Sequence, residues 1–298
     1  MCRWEVPEPL ATADVRTEDG TRILLRRHGN AKGPRLVLSH GNGLAIDLYY
    51  PFWSLLADRF DLVVYDFRNH GRNPLSPVPS HNVATFASDN EDVFRGITRH
   101  FGLKPWIGVF HSLSAVTILH HDPPGADASA LVLFDPPIYA TSGDPLEVDR
   151  MCQRFRKRTS RRQTWFEHRR HFAKVFRESP LLARLLPGVP ELAGRVLLRP
   201  VGDGDGFELR CPLDYEASIY EYFFAYIYEP ESSTLTCPVK VIGADPTLSF
   251  SFLPSLTLGG MTTVDYDFVP ETTHYLQLEN PNECAAILVR FLERRGFA

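Results

Sequence analysis

No apolar run in this 298-residue chain reaches the length needed to span a membrane, and its first residues, Met1-Cys2-Arg3-Trp4-Glu5-Val6-Pro7, lack the apolar core of a secretory signal. Cysteine is scarce: the five present, Cys2, Cys152, Cys211, Cys237 and Cys284, are odd in number, widely spaced and contain no C-x-x-C pair. That pattern suggests neither a disulfide framework nor a zinc site, so reduced thiols and a cytoplasmic location are expected. Charge of one sign is not in excess either. With 32 Lys and Arg against 36 Asp and Glu, the net charge of −4 gives no general pull toward nucleic acid or an anionic membrane. No cofactor and no metal are expected. What remains is a composition 44% hydrophobic and 23% charged, enough for one α/β core with a sizeable insertion or for two small domains.

The chain alternates strand and helix patterns as a mostly parallel sheet requires. Residues Ala13 to Thr17 and Thr21 to His28 flank Glu18-Asp19-Gly20, a hairpin with a turn glycine. A buried-strand pattern at Arg35-Leu36-Val37-Leu38-Ser39 follows, then a helix around Leu48 to Phe60, a strand at Leu62 to Tyr65, and a helix from about Asn82 to His100.

Ser112 stands within Trp106-Ile107-Gly108-Val109-Phe110-His111-Ser112-Leu113-Ser114-Ala115, an apolar run that turns abruptly into small, helix-compatible residues. A strand passing through a sharp turn into a helix lifts the Ser112 hydroxyl above the sheet and leaves the Leu113 amide at a helix N-terminus. Upstream, the strand at Arg35 runs into His40-Gly41-Asn42-Gly43. Downstream, Pro238-Val239-Lys240-Val241-Ile242-Gly243-Ala244 ends at Asp245, and Val264 to Phe268 is followed by Val269-Pro270-Glu271-Thr272-Thr273-His274. In this order the segments resemble the α/β-hydrolase family, whose nucleophile elbow reads G-x-S-x-G. Phe110 and Ser114 hold the two glycine places here, and Phe110 puts a large side chain where strand and helix approach most closely.

The resemblance implies a nucleophile at Ser112, a general base at His274, an acid at Asp245, and an oxyanion hole from the backbone N–H groups of Asn42 and Leu113. Gly41 and Gly43 would let the loop take φ > 0 and bring an amide to the substrate. A rival acid is Asp135, in Leu131-Val132-Leu133-Phe134-Asp135-Pro136-Pro137, because some family members draw the acid from the strand after the elbow helix. Its plain reading is a turn residue before proline. The stretch from Asp66 to Pro74 resembles the family's loop after its fourth strand, with Asp66 and Arg68 expected to hydrogen-bond the loop backbone.

Between Pro137 and about Thr236 the strand rhythm stops, and the resemblance implies a helical cap, residues 138–236, inserted after the sixth strand of a core made of 1–137 and 237–298. The insertion is divided in charge. From Arg150 to Arg177 there are 11 Lys or Arg and one acid, Glu167, whereas from Asp203 to Glu231 there are eight acids and one base, Arg210. Pairing between these halves is expected, in preference to an anionic substrate or nucleic acid. Trp165, Phe172 and Phe176 recur at helical spacing and predict a buried face. The segment from Asp214, a plausible N-cap, to Tyr228 holds more rings than one helix face can bury, so Tyr222 and Tyr226, with Phe110, are candidates to line a substrate pocket. The run His120-His121-Asp122 is read as a helix C-terminus favouring histidine, and His168 and His171 as residues on a basic helix, rather than as metal ligands.

The expected activity is that of a serine hydrolase cleaving a carboxylic ester or thioester of a small molecule with an apolar or acyl part, through an acyl-enzyme. Alternatives on the same fold are a C–C bond hydrolase, a lyase, an acyltransferase, or a ligand-binding protein without catalysis.

Overall fold

Strands β3 (Arg35–Leu38), β4 (Asp61–Tyr65), β5 (Trp106–His111) and β10 (Val239–Gly243) are buried at every position, the signature of a parallel sheet covered on both faces. The computed structural model describes residues 4–121, 123–125, 127–138, 145–202, 204–227, 235–248 and 264–298. With β1 (Ala11–Arg16), β2 (Arg22–Gly29), β6 (Ala128–Phe134) and β11 (Val264–Phe268), these strands form one sheet of order β1-β2-β4-β3-β5-β6-β10-β11. Only β1 with β2 and β2 with β4 pair antiparallel.

Two apolar layers sandwich the sheet. One holds Phe52, Trp53, Phe134 and the helix Pro281–Arg294; the other holds Phe67, Phe86, Phe110 and the helices Val83–Phe101 and Leu113–Leu119. Asn82 caps the helix at Val83 by accepting from the Thr85 amide, as its residue type favours. The helix expected from Leu48 to Phe60 is instead three short helical pieces, a 3-10 turn Ile46–Tyr49, an α-helical turn Tyr50–Trp53 with Pro51 in its first turn, and a 3-10 turn Ser54–Leu56.

Between β6 and β10 lie the helices Pro145–Thr159, Arg169–Glu178, Val189–Val196 and Leu213–Tyr222, and a small sheet of order β7-β9-β8, formed by Trp165–Phe166, Phe207–Leu209 and Leu198–Pro200. Trp165 therefore belongs to a strand, not to a helix face. It is 48% exposed, and the buried rings near it are Phe166 and Phe172. The last helix starts after Pro212, with no side-chain cap from Asp214. Among the described residues no helix is long and apolar enough to cross a membrane.

Candidate active site

The carboxyl ends of β3, β5 and β6, neighbours in the sheet, deliver the loop His40–Gly43, Ser112 and Asp135 to one edge, and the segment after β11 brings His274 to them. Ser112 has φ 54° and ψ −116°, so it sits on a tight turn that opens the helix Leu113–Leu119. Its amide donates to the Phe134 carbonyl at 3.1 Å, which fixes the turn to β6. Ser114 closes the turn from the other side: the His111 amide donates to its Oγ, and that hydroxyl donates to the His111 carbonyl, both at 2.9 Å.

Phe110 does not crowd this turn. Its ring is buried in the layer under the helix Leu113–Leu119, and a Cβ at Gly108 would come within 2.5 Å of it. The small residue that the elbow pattern places at 110 stands two positions earlier on the same strand face, and the ring occupies the vacated room. Phe110 is thus a core residue and not a pocket residue.

His274 bridges the two side chains beside it. Its Nε2 lies 2.9 Å from Ser112 Oγ and its Nδ1 lies 2.6 Å from Asp135 Oδ2. The structure corrects the acid assigned from sequence order: Asp135, not Asp245, meets the imidazole. Asp135 is 1% exposed, takes a φ of 37°, and receives the Ala244 amide at its other oxygen at 3.1 Å. Asp245 turns elsewhere. Its Oδ1 accepts from the Thr247 amide and hydroxyl at 2.9 and 2.7 Å, and its Oδ2 accepts from the Glu271 amide at 2.8 Å. The Thr247 hydroxyl, then the Glu271 amide, hold the Asp245 carboxyl below the usual carboxylate range. Its place is to brace the loop that carries His274. Glu279 adds a second brace, accepting from the Thr273 amide and hydroxyl at 2.6 Å each, while burial pushes its own carboxyl up.

In the loop after β3, Gly43 takes φ 71° and packs so tightly on Glu216 that a Cβ there would lie 2.4 Å from its carboxyl. Gly41 is outside the left-handed region; a Cβ there would come within 3.0 Å of the His111 ring. The Gly41 amide donates to Tyr49 Oη at 3.2 Å and the Gly43 amide to His70 Nε2 at 3.1 Å. Both neighbours of Asn42 thus have committed N–H groups. The Asn42 side chain donates to the Glu216 carbonyl at 2.9 Å. In the loop after β4, Asp66 accepts from the Ile46 and Arg72 amides as expected, but Arg68 pairs with Asp19 and Asp89 instead of the backbone.

Ser112 and His274 open into a cavity of about 340 Å³. Its walls are mostly apolar and come largely from the segment between β6 and β10, including Met151, Phe155, Phe172, Tyr220 and Phe223. Of the pocket rings proposed from sequence, Tyr226 packs instead on His120, whose Nε2 bonds its carbonyl at 2.6 Å, and the Tyr222 side chain lies outside the described residues. Arg162, on the cavity wall, pairs with the buried Glu216, and Arg156 lies 3.6 Å from Glu221. The basic and acidic segments therefore do meet. Burial raises the Glu216 pKa, and Arg162 opposes that shift.

One cluster has the residue types of a metal site: His70, His81 and Cys211, all buried, with ligand atoms within 4.8 Å of one another. The proton positions oppose it. Asn69 Oδ1 accepts from Ser76, so its amide nitrogen faces His81 Nδ1 at 2.9 Å and donates to it. His81 therefore carries its proton on Nε2, the nitrogen a metal would need, and His70 Nε2 is occupied by Gly43. Burial holds both imidazoles neutral, His81 at about 3 and His70 well below its ordinary value. Asp122, of the His120-His121-Asp122 run, lies outside the described residues.

Residues 36–287 match the profile of the alpha/beta hydrolase family. Among solved structures, the crystal structure of E-2-(acetamidomethylene)succinate hydrolase is similar, with a TM-score of 0.76 at 18% identity over 95% of this chain and 99% of that one. A thioesterase domain from the curacin biosynthetic pathway has a TM-score of 0.70 at 17% identity, over 94% and 99%. At such identities these likenesses speak for the fold. A segment of 80 residues, 26% of this chain, is 39% identical to a protein named probable oxidoreductase EphD from Mycobacterium tuberculosis (strain ATCC 25618 / H37Rv). The match spans only 14% of that relative's length.

Proposed function

The chain belongs to the alpha/beta hydrolase family, and from that premise we propose that it is a serine hydrolase that cleaves a carboxylic ester or thioester through an acyl-enzyme. The observation that carries the reading is the bridging position of His274, 2.9 Å from Ser112 Oγ and 2.6 Å from Asp135. A serine hydroxyl is a weak nucleophile at neutral pH. In this reading His274 Nε2 takes its proton as Oγ attacks the carbonyl carbon, and Asp135 holds the imidazole through Nδ1–H and stabilises the imidazolium. The oxyanion is received by the Leu113 amide, at the start of its helix, and by the Asn42 amide, the one N–H of the Gly41–Gly43 loop without an acceptor among the described residues. His274 then protonates the leaving group, and a water activated by the same imidazole releases the acid.

The apolar walls suit a substrate with an acyl or other apolar part, and we assign residues 138–236 as the cap that closes over it, on a core of 1–137 and 237–298. Purified Ser112→Ala and His274→Ala are expected to lose turnover of p-nitrophenyl esters by orders of magnitude, on the order of 10⁶-fold for a triad acting as a unit, and to resist a fluorophosphonate label. Retention by folded Ser112→Ala of more than about 1% of wild-type kcat would sink the assignment.

A further inference from the structure

Tyr49 and His111 take no part in the chemistry above, yet both are buried, at 2% and 1% exposure, between its two halves. Tyr49 Oη lies 2.7 Å from His111 Nδ1, and His111 Nε2 lies 2.8 Å from the carbonyl oxygen of His274. The proton positions follow from the partners. A carbonyl only accepts, so His111 Nε2 carries the hydrogen; a neutral imidazole protonated there accepts at Nδ1, so the Tyr49 hydroxyl donates to it. Tyr49 Oη in turn accepts the Gly41 amide at 3.2 Å. Every bond in the series has one direction: Gly41 N–H to Tyr49, Tyr49 O–H to His111, His111 N–H to the His274 carbonyl. Burial, and then the charge His274 can carry, hold the His111 pKa well below its ordinary value, in keeping with the neutral form.

We propose that Tyr49 and His111 are positioning residues that tie the oxyanion loop to the backbone of His274, setting the Asn42 amide and the imidazole against Ser112 together. The inference rests on the serine-hydrolase reading. Asp135 fixes the imidazole only at its ring, and Glu279 holds only the preceding residue. The carbonyl bond to His111 adds a hold on the His274 backbone, and because His111 adjoins Ser112 in the chain, the same bond references the base to the nucleophile. A misplacement of about 1 Å in such a set costs up to about 100-fold in rate.

The test compares Tyr49→Phe, His111→Phe, His111→Gln and the double Tyr49→Phe/His111→Phe in purified protein, reading kcat and KM on p-nitrophenyl acetate, fluorophosphonate labelling rate and melting temperature. His111→Phe is expected to lower kcat and labelling by about 10- to 100-fold with KM within about twofold, because the loss is of orientation and not of binding. His111→Gln should recover most of that loss, since its carboxamide N–H can reach the His274 carbonyl. The double variant should be no slower than His111→Phe, because a series broken at one link gains nothing from a second break. A folded His111→Phe with wild-type kcat, a His111→Gln as slow as His111→Phe, or losses that multiply in the double variant would overturn the proposal. If the His111 variants do not fold, Tyr49→Phe decides, since it removes one oxygen and keeps the ring; wild-type kcat there also overturns it. Ser112→Ala run in parallel separates the two readings. If Ser112→Ala is active, the hydrolase reading fails; if it is dead while Tyr49→Phe is unimpaired, only the positioning role fails.

Discussion

Asp135 and Asp245 differ in what their oxygens already hold. Both oxygens of Asp245 are taken up by Thr247 and Glu271, while Asp135 gives one to the Ala244 amide and turns the other to His274. Asp135→Asn is therefore expected to lower kcat by about 10⁴-fold through the wrong imidazole tautomer, while Asp245→Asn lowers melting temperature and leaves kcat within about tenfold. Steady-state kinetics beside thermal melts separate the two, and a larger kcat loss in Asp245→Asn would reverse the assignment. A second prediction concerns Phe110. Gly108→Ala places a methyl against that ring and against Leu131, so it should destabilise the fold by about 1–3 kcal/mol in urea unfolding. In a Phe110→Leu background the same change should cost clearly less; an equal cost would mean that Leu131 or the backbone sets the limit.

At the scale of elements, the central strands β3, β4, β5 and β10 were legible because each is a short apolar run bounded by turn residues and buried on both faces, whereas the two- and three-residue strands β7, β8 and β9 are too short to leave a pattern. The segments that deliver Ser112, His274 and the Asn42 loop were legible for the same reason. The acid was not. Asp135 and Asp245 both follow a buried strand, on neighbours β6 and β10, and the side chains of two adjacent strand ends are distinguished only by how the following loops turn. Tyr226 was misplaced: the helix Leu213–Tyr222 tightens into a 3-10 turn over Phe223–Ala225, and Tyr220 and Phe223 line the cavity while Tyr226 packs on His120. Tyr220 stacks on Phe155 with ring centres 5.6 Å apart, so the two helices present one aromatic wall. Tyr220→Ala is expected to change kcat/KM for long-chain p-nitrophenyl esters by about 10-fold or more and for the acetate by less than about threefold, since a short acyl group does not reach the wall. Equal effects on both would remove Tyr220 from the acyl site.

For the molecule as a whole, the unusual feature is a set of neutral, buried histidines. Burial lowers His28 to about 4 and His81 to about 3, and lowers His40, His70 and His111 as well, all from 6.5. A base whose folded pKa is depressed binds fewer protons when folded, so its contribution to stability is complete above the unfolded value and is lost as pH falls toward the folded one. Glu216, Glu279 and Asp89, raised by burial, work the other way, but they are fewer. Unfolding free energy from urea titrations is expected to be greatest near pH 7 to 8 and to decline from about pH 6.5 downward. A flat profile between pH 7 and 5 would show that these imidazoles relax to solvent without unfolding.

The contacts of His274 cross long stretches of chain: 162 residues separate it from Ser112 and 139 from Asp135. In the proposed mechanism the nucleophile, both oxyanion amides and the acid all precede residue 137, and only the base comes after the segment between β6 and β10. On that reading a ribosome finishes everything except the proton acceptor while more than a hundred residues are still to come, and the hydroxyl gains its base only once β11 has docked beside β10. Labelling at Ser112 is then expected to act as a clock for the completion of the fold.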